Sequence, residues 1–291
     1  MTDRLVLGTA QLGMPYGINN KAGKPDFDRA RDIVKVAFDN GITRFDTAQA
    51  YGDSEEVLGA VFNTLGVTAS VRVYSKLDPK MDLRNDSMVR HSVDGSLQRL
   101  GVDHLEGLFL HSEDGLDLWD DGLHATLDGL VRQGKIRASG VSFYTPEKAM
   151  RALDLEGVDL LQVPANILDR RFESHGFFFK ARDRKKVIFV RSVFLQGLLL
   201  MSAESIHASM NAGKEYVRKF TELASNLGVS RQELALGYVK YRYPECFVVV
   251  GAEAVDQVAE TTTAFQRARN IDIPVSNFER IPESILNPSM W

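Results

Sequence analysis

Eight short apolar runs, each trailed by a helical stripe, recur in series along nearly the whole 291-residue chain. No other feature limits the fold as tightly. The runs are Leu5–Gly8, Arg44–Asp46, Val71–Lys76, Leu105–His111, Ile136–Ser142, Leu160–Val163, Val187–Arg191 and Phe247–Gly251. Most are rich in Val, Ile, Leu or Phe, as expected of parallel strands buried on both faces. Between them, Ala30, Ile33, Val34, Ala37 and Phe38 recur at helical spacing up to Gly41. Val57, Leu58, Val61, Phe62 and Leu65 form a second stripe, with Asp53 and Glu56 spaced as a capping box. Thr145-Pro146 reads as an N-cap with proline at the first helical position, and Ser230 with Glu233 as another capping box. The weakest helical pattern lies near Ser174–Asp183.

Eight β–α units over about 265 residues match the size and order of a (β/α)8 TIM barrel. The expectation is an α/β single domain, with residues 1–270 as the barrel and 271–291 as a C-terminal tail packed on it. A doubly wound open sheet is the competitor. It would carry a glycine-rich phosphate turn after its first strand, and Gly8-Thr9-Ala10-Gln11-Leu12-Gly13 is not GxGxxG.

Composition narrows the function classes. Lys and Arg number 35 against 39 Asp and Glu, a formal charge of −4, which argues against a nucleic-acid surface. The single cysteine, Cys246, allows neither an intrachain disulfide nor a cysteine zinc cluster, and no metal is expected. No apolar run approaches the roughly 18 residues that cross a bilayer. The N-terminus, with Asp3 and a short apolar stretch, does not read as a signal peptide. These features predict a cytoplasmic protein with a small-molecule substrate, no nucleic-acid partner and no membrane contact. Oligomeric state leaves no signature.

Polar residues at strand C-terminal ends are the catalytic candidates, because barrel enzymes place their chemistry there. Asp46 ends the second run, Tyr51 lies five positions on, Lys76 ends the third and His111 the fourth. Taken singly, these residues read as a cap, a packed aromatic, a solvated charge and a core histidine. Together, at consecutive strand ends, they make a proton-transfer set. A lysine ammonium beside a tyrosine favours the phenolate and lowers its pKa. Asp46 pairs with Lys76, and His111 donates to a substrate oxygen. Such a site suits protonation of an oxygen becoming an alkoxide, as in carbonyl reduction.

The segment Phe45-Asp46-Thr47-Ala48-Gln49-Ala50-Tyr51-Gly52-Asp53-Ser54-Glu55-Glu56-Val57-Leu58-Gly59 resembles the signature of the aldo-keto reductases. Val73-Tyr74-Ser75-Lys76 resembles that family's lysine strand, Leu110-His111-Ser112-Glu113-Asp114 its Leu-His-x-x-Asp segment, and Gly134-Lys135-Ile136-Arg137-Ala138-Ser139-Gly140-Val141-Ser142 its Gly-Lys-Ile-Arg segment. The similarity runs in order from Leu5 to about Phe265. It implies a barrel that binds an extended nicotinamide dinucleotide and reduces a carbonyl, aldehyde, ketone or sugar-like, with Asp46, Tyr51, Lys76 and His111 as its catalytic tetrad.

By the same resemblance, Gly8, Thr9, Ala10, Ser142, Gln162, Ser192, Gln196, Gly251, Gln257 and Glu260 fall on cofactor-binding positions. Arg191 replaces a common tyrosine, and either stacks on the nicotinamide, reaches a phosphate or forms a barrel salt bridge. Phe143 stands where the family usually has asparagine. The family default is NADP(H), with NAD(H) as the alternative. The segment after the eighth run holds Glu253 and Asp256 and no basic residue from Gly251 to Glu260. Met14, Tyr16, Trp119 and Val193 to Leu200 are expected around the outer pocket, with the Met290-Trp291 end as either a lid or an anchor. Two other readings compete: a non-catalytic nucleotide sensor or partner-binding protein on the same barrel, and a lyase using Lys76 in a Schiff base.

Overall fold

Eight parallel strands close into a barrel in simple sequence order, with the first strand hydrogen-bonded to both the second and the eighth. They are β1 (Leu5–Gly8), β2 (Arg44–Asp46), β3 (Arg72–Leu77), β4 (Gly107–Leu110), β5 (Ser139–Ser142), β6 (Leu160–Pro164), β7 (Val187–Arg191) and β8 (Phe247–Gly251). This is a single-domain (β/α)8 barrel surrounded by helices. The structure is a computed structural model that describes residues 2–18, 20, 22–207, 210–269, 273, 278–279, 281–287 and 291.

Side-chain alternation along each strand separates two cores. Leu5, Leu7, Phe45, Val73, Leu108, Val141, Leu161 and Val190 are buried in the large cluster shared with the helices. Val6, Tyr74, Phe109, Leu160 and Phe189 form a second cluster inside the barrel. Its aromatic rings meet edge to face, with centroids 4.8 Å apart for Tyr74–Phe189 and 5.5 Å for Phe109–Phe189. Strand side chains repeat with period two. Two positions beyond this plug along each strand therefore lie Gly8, Lys76, His111, Gln162 and Arg191. The packed aromatic layer is the floor under the candidate site.

The boundaries differ from the sequence reading mainly in the middle strands. Leu105 and Ile136 pair only through an isolated bridge before β4 and β5 begin, so both strands start later than their apolar runs suggest. The region near 174–183 holds two short helices, Arg171–Ser174 and Phe177–Asp183, broken by Gly176 at φ +70°. The Ser230–Glu233 capping box is present with both of its hydrogen bonds. The expected Asp53–Glu56 box is not. Asp53 makes no capping bond and pairs instead with Lys24. Thr145 does occupy the N-cap position with Pro146 opening the helix, as expected, but its side chain makes no capping bond and its hydroxyl donates to Glu113.

In the tail, Ile273, Phe278, Ile285 and Leu286 are buried, and Trp291 donates to the Ser284 carbonyl at 3.0 Å. Met290 lies outside the described residues. No helix among the described residues is long and apolar enough to cross a membrane.

Candidate active site

Lys76 and Asp46 form the anchor of the site. Lys76 is 1% exposed, and its Nζ donates to both carboxylate oxygens of Asp46, at 2.7 and 2.6 Å, and to the Thr47 carbonyl at 3.0 Å. Three acceptors match the three N–H groups of an ammonium. Gln162 on β6 donates Nε2 to Asp46 Oδ1 at 2.8 Å, and Ser142 on β5 donates to Gln162 Oε1 at 3.4 Å. One buried chain of polar contacts thus joins β5, β6, β2 and β3.

Tyr51 leaves the loop after β2, and close backbone packing fixes where it goes. A Cβ added to Gly13 would lie 1.8 Å from the Tyr51 carbonyl oxygen, and one added to Gly52 would lie 2.3 Å from the Gly13 carbonyl oxygen. Gly52 also sits at φ +58°, which favours glycine. Around this crossing the Thr9 and Thr47 hydroxyls both meet the Ser54 hydroxyl, which donates to the Thr9 carbonyl. The first loop and the tyrosine loop therefore act as one unit. The Tyr51 ring stands 5.5 Å from the His111 ring, edge-on at 85°, with Lys76 Nζ 5.0 Å from its centroid.

The electrostatics correct one expectation. Tyr51 is not made more acidic. Burial pushes its pKa up, Asp46 adds to the rise, and Arg191 opposes it. The Lys76 charge is engaged by Asp46 at hydrogen-bond distance and does not lower the phenol. Burial pulls Lys76 down, opposed by Asp46. His111 is pushed down to about 3, by burial first and then by Lys76 and Arg191. It is a neutral imidazole at pH 7, and its buried Nδ1 lacks a protein partner.

Asp46, Tyr51 and His111 line one pocket over the strand C-terminal ends. Gly8, Thr9, Ala10, Ser142, Gln162, Arg191, Ser192, Gln196, Gly251 and Gln257 line it as well. Lys76 stands behind the wall and touches the pocket only through its neighbours. Glu260 is exposed and lies outside the lining; it accepts from Gln232, which does line the pocket. Of the outer-pocket expectations, Tyr16, Val193, Phe194, Gln196, Gly197 and Leu200 face the pocket, whereas Met14 does not. Leu195, Leu198 and Leu199 are buried away from it.

Trp119 also departs from expectation. It is 1% exposed, stacks on His124 and donates to the Glu156 carbonyl at 2.9 Å, which makes it a buried anchor of the loop after β4. Trp291 is likewise absent from the pocket wall.

Arg191 has no carboxylate within ion-pair distance among the described residues. It donates to the Phe143 carbonyl at 3.0 Å and to Ser192 Oγ at 3.3 Å, and its guanidinium lies 4.1 Å from the Tyr144 ring centroid. Tyr144 was missed in the sequence. Its only signal there is an aromatic residue two positions past the end of β5. Glu113, at an open position of the Leu-His-x-x-Asp segment, serves structure: its carboxylate accepts from the Tyr144 and Thr145 backbone N–H groups.

The model of the aldo/keto reductase family matches residues 4–278. This chain is an aldo-keto reductase. As a member of that family it is an NAD(P)-dependent oxidoreductase. It is 27% identical over 305 residues to an uncharacterized oxidoreductase of Bacillus subtilis, a match covering 90% of this chain and 87% of that one. It is 25% identical over 296 residues to the NADH-specific methylglyoxal reductase of Escherichia coli, covering 90% and 89%. The holo form of an aldo-keto reductase from Bacillus halodurans superposes with a TM-score of 0.74 over 99% of this chain and 93% of the other, at 19% identity. That last likeness concerns the fold.

Against its family's pattern, this aldo-keto reductase departs on one side of the pocket. Phe143, in place of the usual asparagine, is fully buried and does not line the pocket; its carbonyl accepts from Arg191. The loop after β7 carries Ser192, Leu195 and Gln196 at positive φ (60°, 49° and 52°). Asn166 ties that loop down by donating to the Ser192 carbonyl at 2.9 Å.

Proposed function

We propose that the chain reduces a small aldehyde or ketone, with Tyr51 as the proton donor. A reduced nicotinamide dinucleotide, when bound, supplies the hydride to the carbonyl carbon. Gly8, Thr9, Ala10, Ser142, Gln162, Arg191, Ser192, Gln196, Gly251 and Gln257 are its proposed contacts, with Glu260 reached through Gln232. The pocket fits such a ligand: its lining includes Tyr51, His111, residues of β7 and its loop, and the turn after β8, and two of its lining residues, His111 and Glu253, keep unpartnered buried polar atoms.

The residues divide the remaining work. His111, neutral at pH 7, keeps a ring nitrogen for the substrate oxygen and orients the carbonyl toward Tyr51. Tyr51, with its raised pKa, stays protonated until an acceptor develops beside it. An alkoxide is a stronger base than a phenolate, so the proton passes downhill from the Tyr51 oxygen. Arg191 eases the phenolate that remains, since its charge acts against the rise in the Tyr51 pKa. Lys76 and Asp46 keep the strand ends and the tyrosine loop in register and neutralise each other. Tyr16, Tyr144, Phe194 and Leu200 leave an aromatic and aliphatic outer wall, and the relative named as a methylglyoxal reductase supports a small carbonyl substrate. A Schiff base on Lys76 is opposed by its burial and its three acceptors.

One observation carries this reading: the Tyr51 and His111 rings meet edge-on in the pocket over a fully paired Lys76. The test is Tyr51→Phe. Carbonyl reduction should fall by about 10² to 10⁴, while dinucleotide affinity, followed by fluorescence titration, changes less than threefold. Wild-type turnover in the variant would refute the assignment.

A further inference from the structure

We infer that Glu253 is a specificity-determining residue that selects NAD(H) over NADP(H), accepting hydrogen bonds from the hydroxyls of the adenosine ribose and excluding a 2′-phosphate. The inference rests on the proposed dinucleotide site and deepens it.

Glu253 stands in the turn between β8 and the helix Val255–Arg267 and lines the same pocket as Tyr51. A dinucleotide reacting beside Tyr51 and extended along the strand ends places its other ribose near this turn. The side chain is held there. Its own backbone N–H donates to Gln257 Oε1 at 2.8 Å, and Gln257 Nε2 donates back to Glu253 Oε1 at 3.3 Å. Oε1 is thereby satisfied. Oε2 is buried with no hydrogen-bond partner.

A buried carboxylate oxygen without a donor is costly, and a ligand that supplies the donor gains what the protein lacks. A ribose diol brings two O–H donors. A 2′-phosphate at neutral pH brings acceptor oxygens and a charge near −2, so it would set anion against anion. The surroundings offer no relief. Gln232, Gln257 and Thr261 flank Glu253 in the lining and are neutral. Arg191, the one arginine or lysine among the residues that line the pocket, lies at the reacting end, stacked on Tyr144. Among the described residues that line the pocket, a phosphate at the ribose would meet a carboxylate and no cation beside it.

The test is a set of equilibrium titrations of the full chain with NADH and NADPH, read by fluorescence, for the wild type, Glu253→Gln and Glu253→Ala. The wild type should bind NADH at least tenfold more tightly than NADPH. Both variants should cut that ratio at least fivefold, chiefly by tighter NADPH binding. Competition on the wild type by AMP against 2′-AMP reads the same discrimination with no substitution, and AMP should win. Equal or tighter NADPH binding by the wild type, or a ratio unchanged in both folded variants, overturns the inference and leaves the proposed reaction standing. Failure of both NADH and NADPH to bind at all overturns the inference and the proposed dinucleotide site together.

Discussion

Replacing Asp46 with asparagine removes the only carboxylate that neutralises Lys76. The side chains of the pair are 1% and 5% exposed, so the relevant scale is that of a buried pair broken by loss of one partner, about 3–5 kcal/mol, and not the 0–1 kcal/mol of a surface pair. Asparagine keeps one acceptor oxygen, and the Thr47 carbonyl at 3.0 Å remains. The lower end of the range therefore applies, about 3 kcal/mol, or a fall in Tm of about 6–12 °C. The loss depends on pH in a fixed direction. Burial already pulls the Lys76 pKa down, and in the variant no carboxylate opposes it. A lysine with a folded pKa below its unfolded value binds protons more readily when unfolded, so stability rises with pH until about 10.4. The gap between Asp46→Asn and the wild type should narrow between pH 7 and pH 10. Thermal melts followed by circular dichroism at both pH values measure this. The double variant Asp46→Asn with Lys76→Met, which removes the stranded charge, should recover most of the loss. A single variant within 1 °C of the wild type at pH 7, or a double variant no better than the single, would refute the reasoning.

Two further predictions follow from the same site. His111 is held near 3 in the fold against about 6.5 unfolded, so the unfolded chain binds the extra proton between those values. Stability is lost as pH falls through that window, and His111→Gln should flatten the acid limb of a denaturant-midpoint profile between pH 7 and pH 4; an unchanged slope would sink this. Gly13→Ala would put a methyl 1.8 Å from the Tyr51 carbonyl oxygen, where overpacking costs about 1–3 kcal/mol. Because the displaced backbone carries Tyr51, kcat should drop at least tenfold at temperatures well below Tm, and full activity in the folded variant would argue that the contact does not position the tyrosine.

The barrel was legible because parallel strands buried on both faces leave uninterrupted apolar runs, and because the intervening stripes keep helical spacing. The grouping of Asp46, Tyr51, Lys76 and His111 was legible because period-two alternation and strand order put chemically useful side chains at successive strand ends. What escaped was set by neighbours distant in sequence. Asp53 has capping spacing, but Lys24, 29 residues earlier, engages its carboxylate. Trp119 has the bulk of a pocket aromatic, yet the Glu156 carbonyl, 37 residues on, draws its indole into the core. The direction of the Tyr51 shift depends on how fully Asp46 cancels Lys76, a matter of ångströms that spacing does not encode. Arg191 had three open readings in the sequence; its stacking on Tyr144, with no carboxylate at hand, excludes the salt bridge.

The seam between β1 and β8 joins Leu5 to Val248 and Gly8 to Gly251, and this has a consequence for how the protein comes into being on the ribosome. All four tetrad side chains have been synthesised by residue 111, but the wall that Gly251, Glu253 and Gln257 contribute emerges some 140 residues later. Contacts this far apart in sequence form late, since loop closure must precede their reward. A nascent chain therefore holds its proposed acid–base residues for most of its synthesis without the completed pocket. Catalytic competence should arrive in one step, when the last strand slots in beside the first.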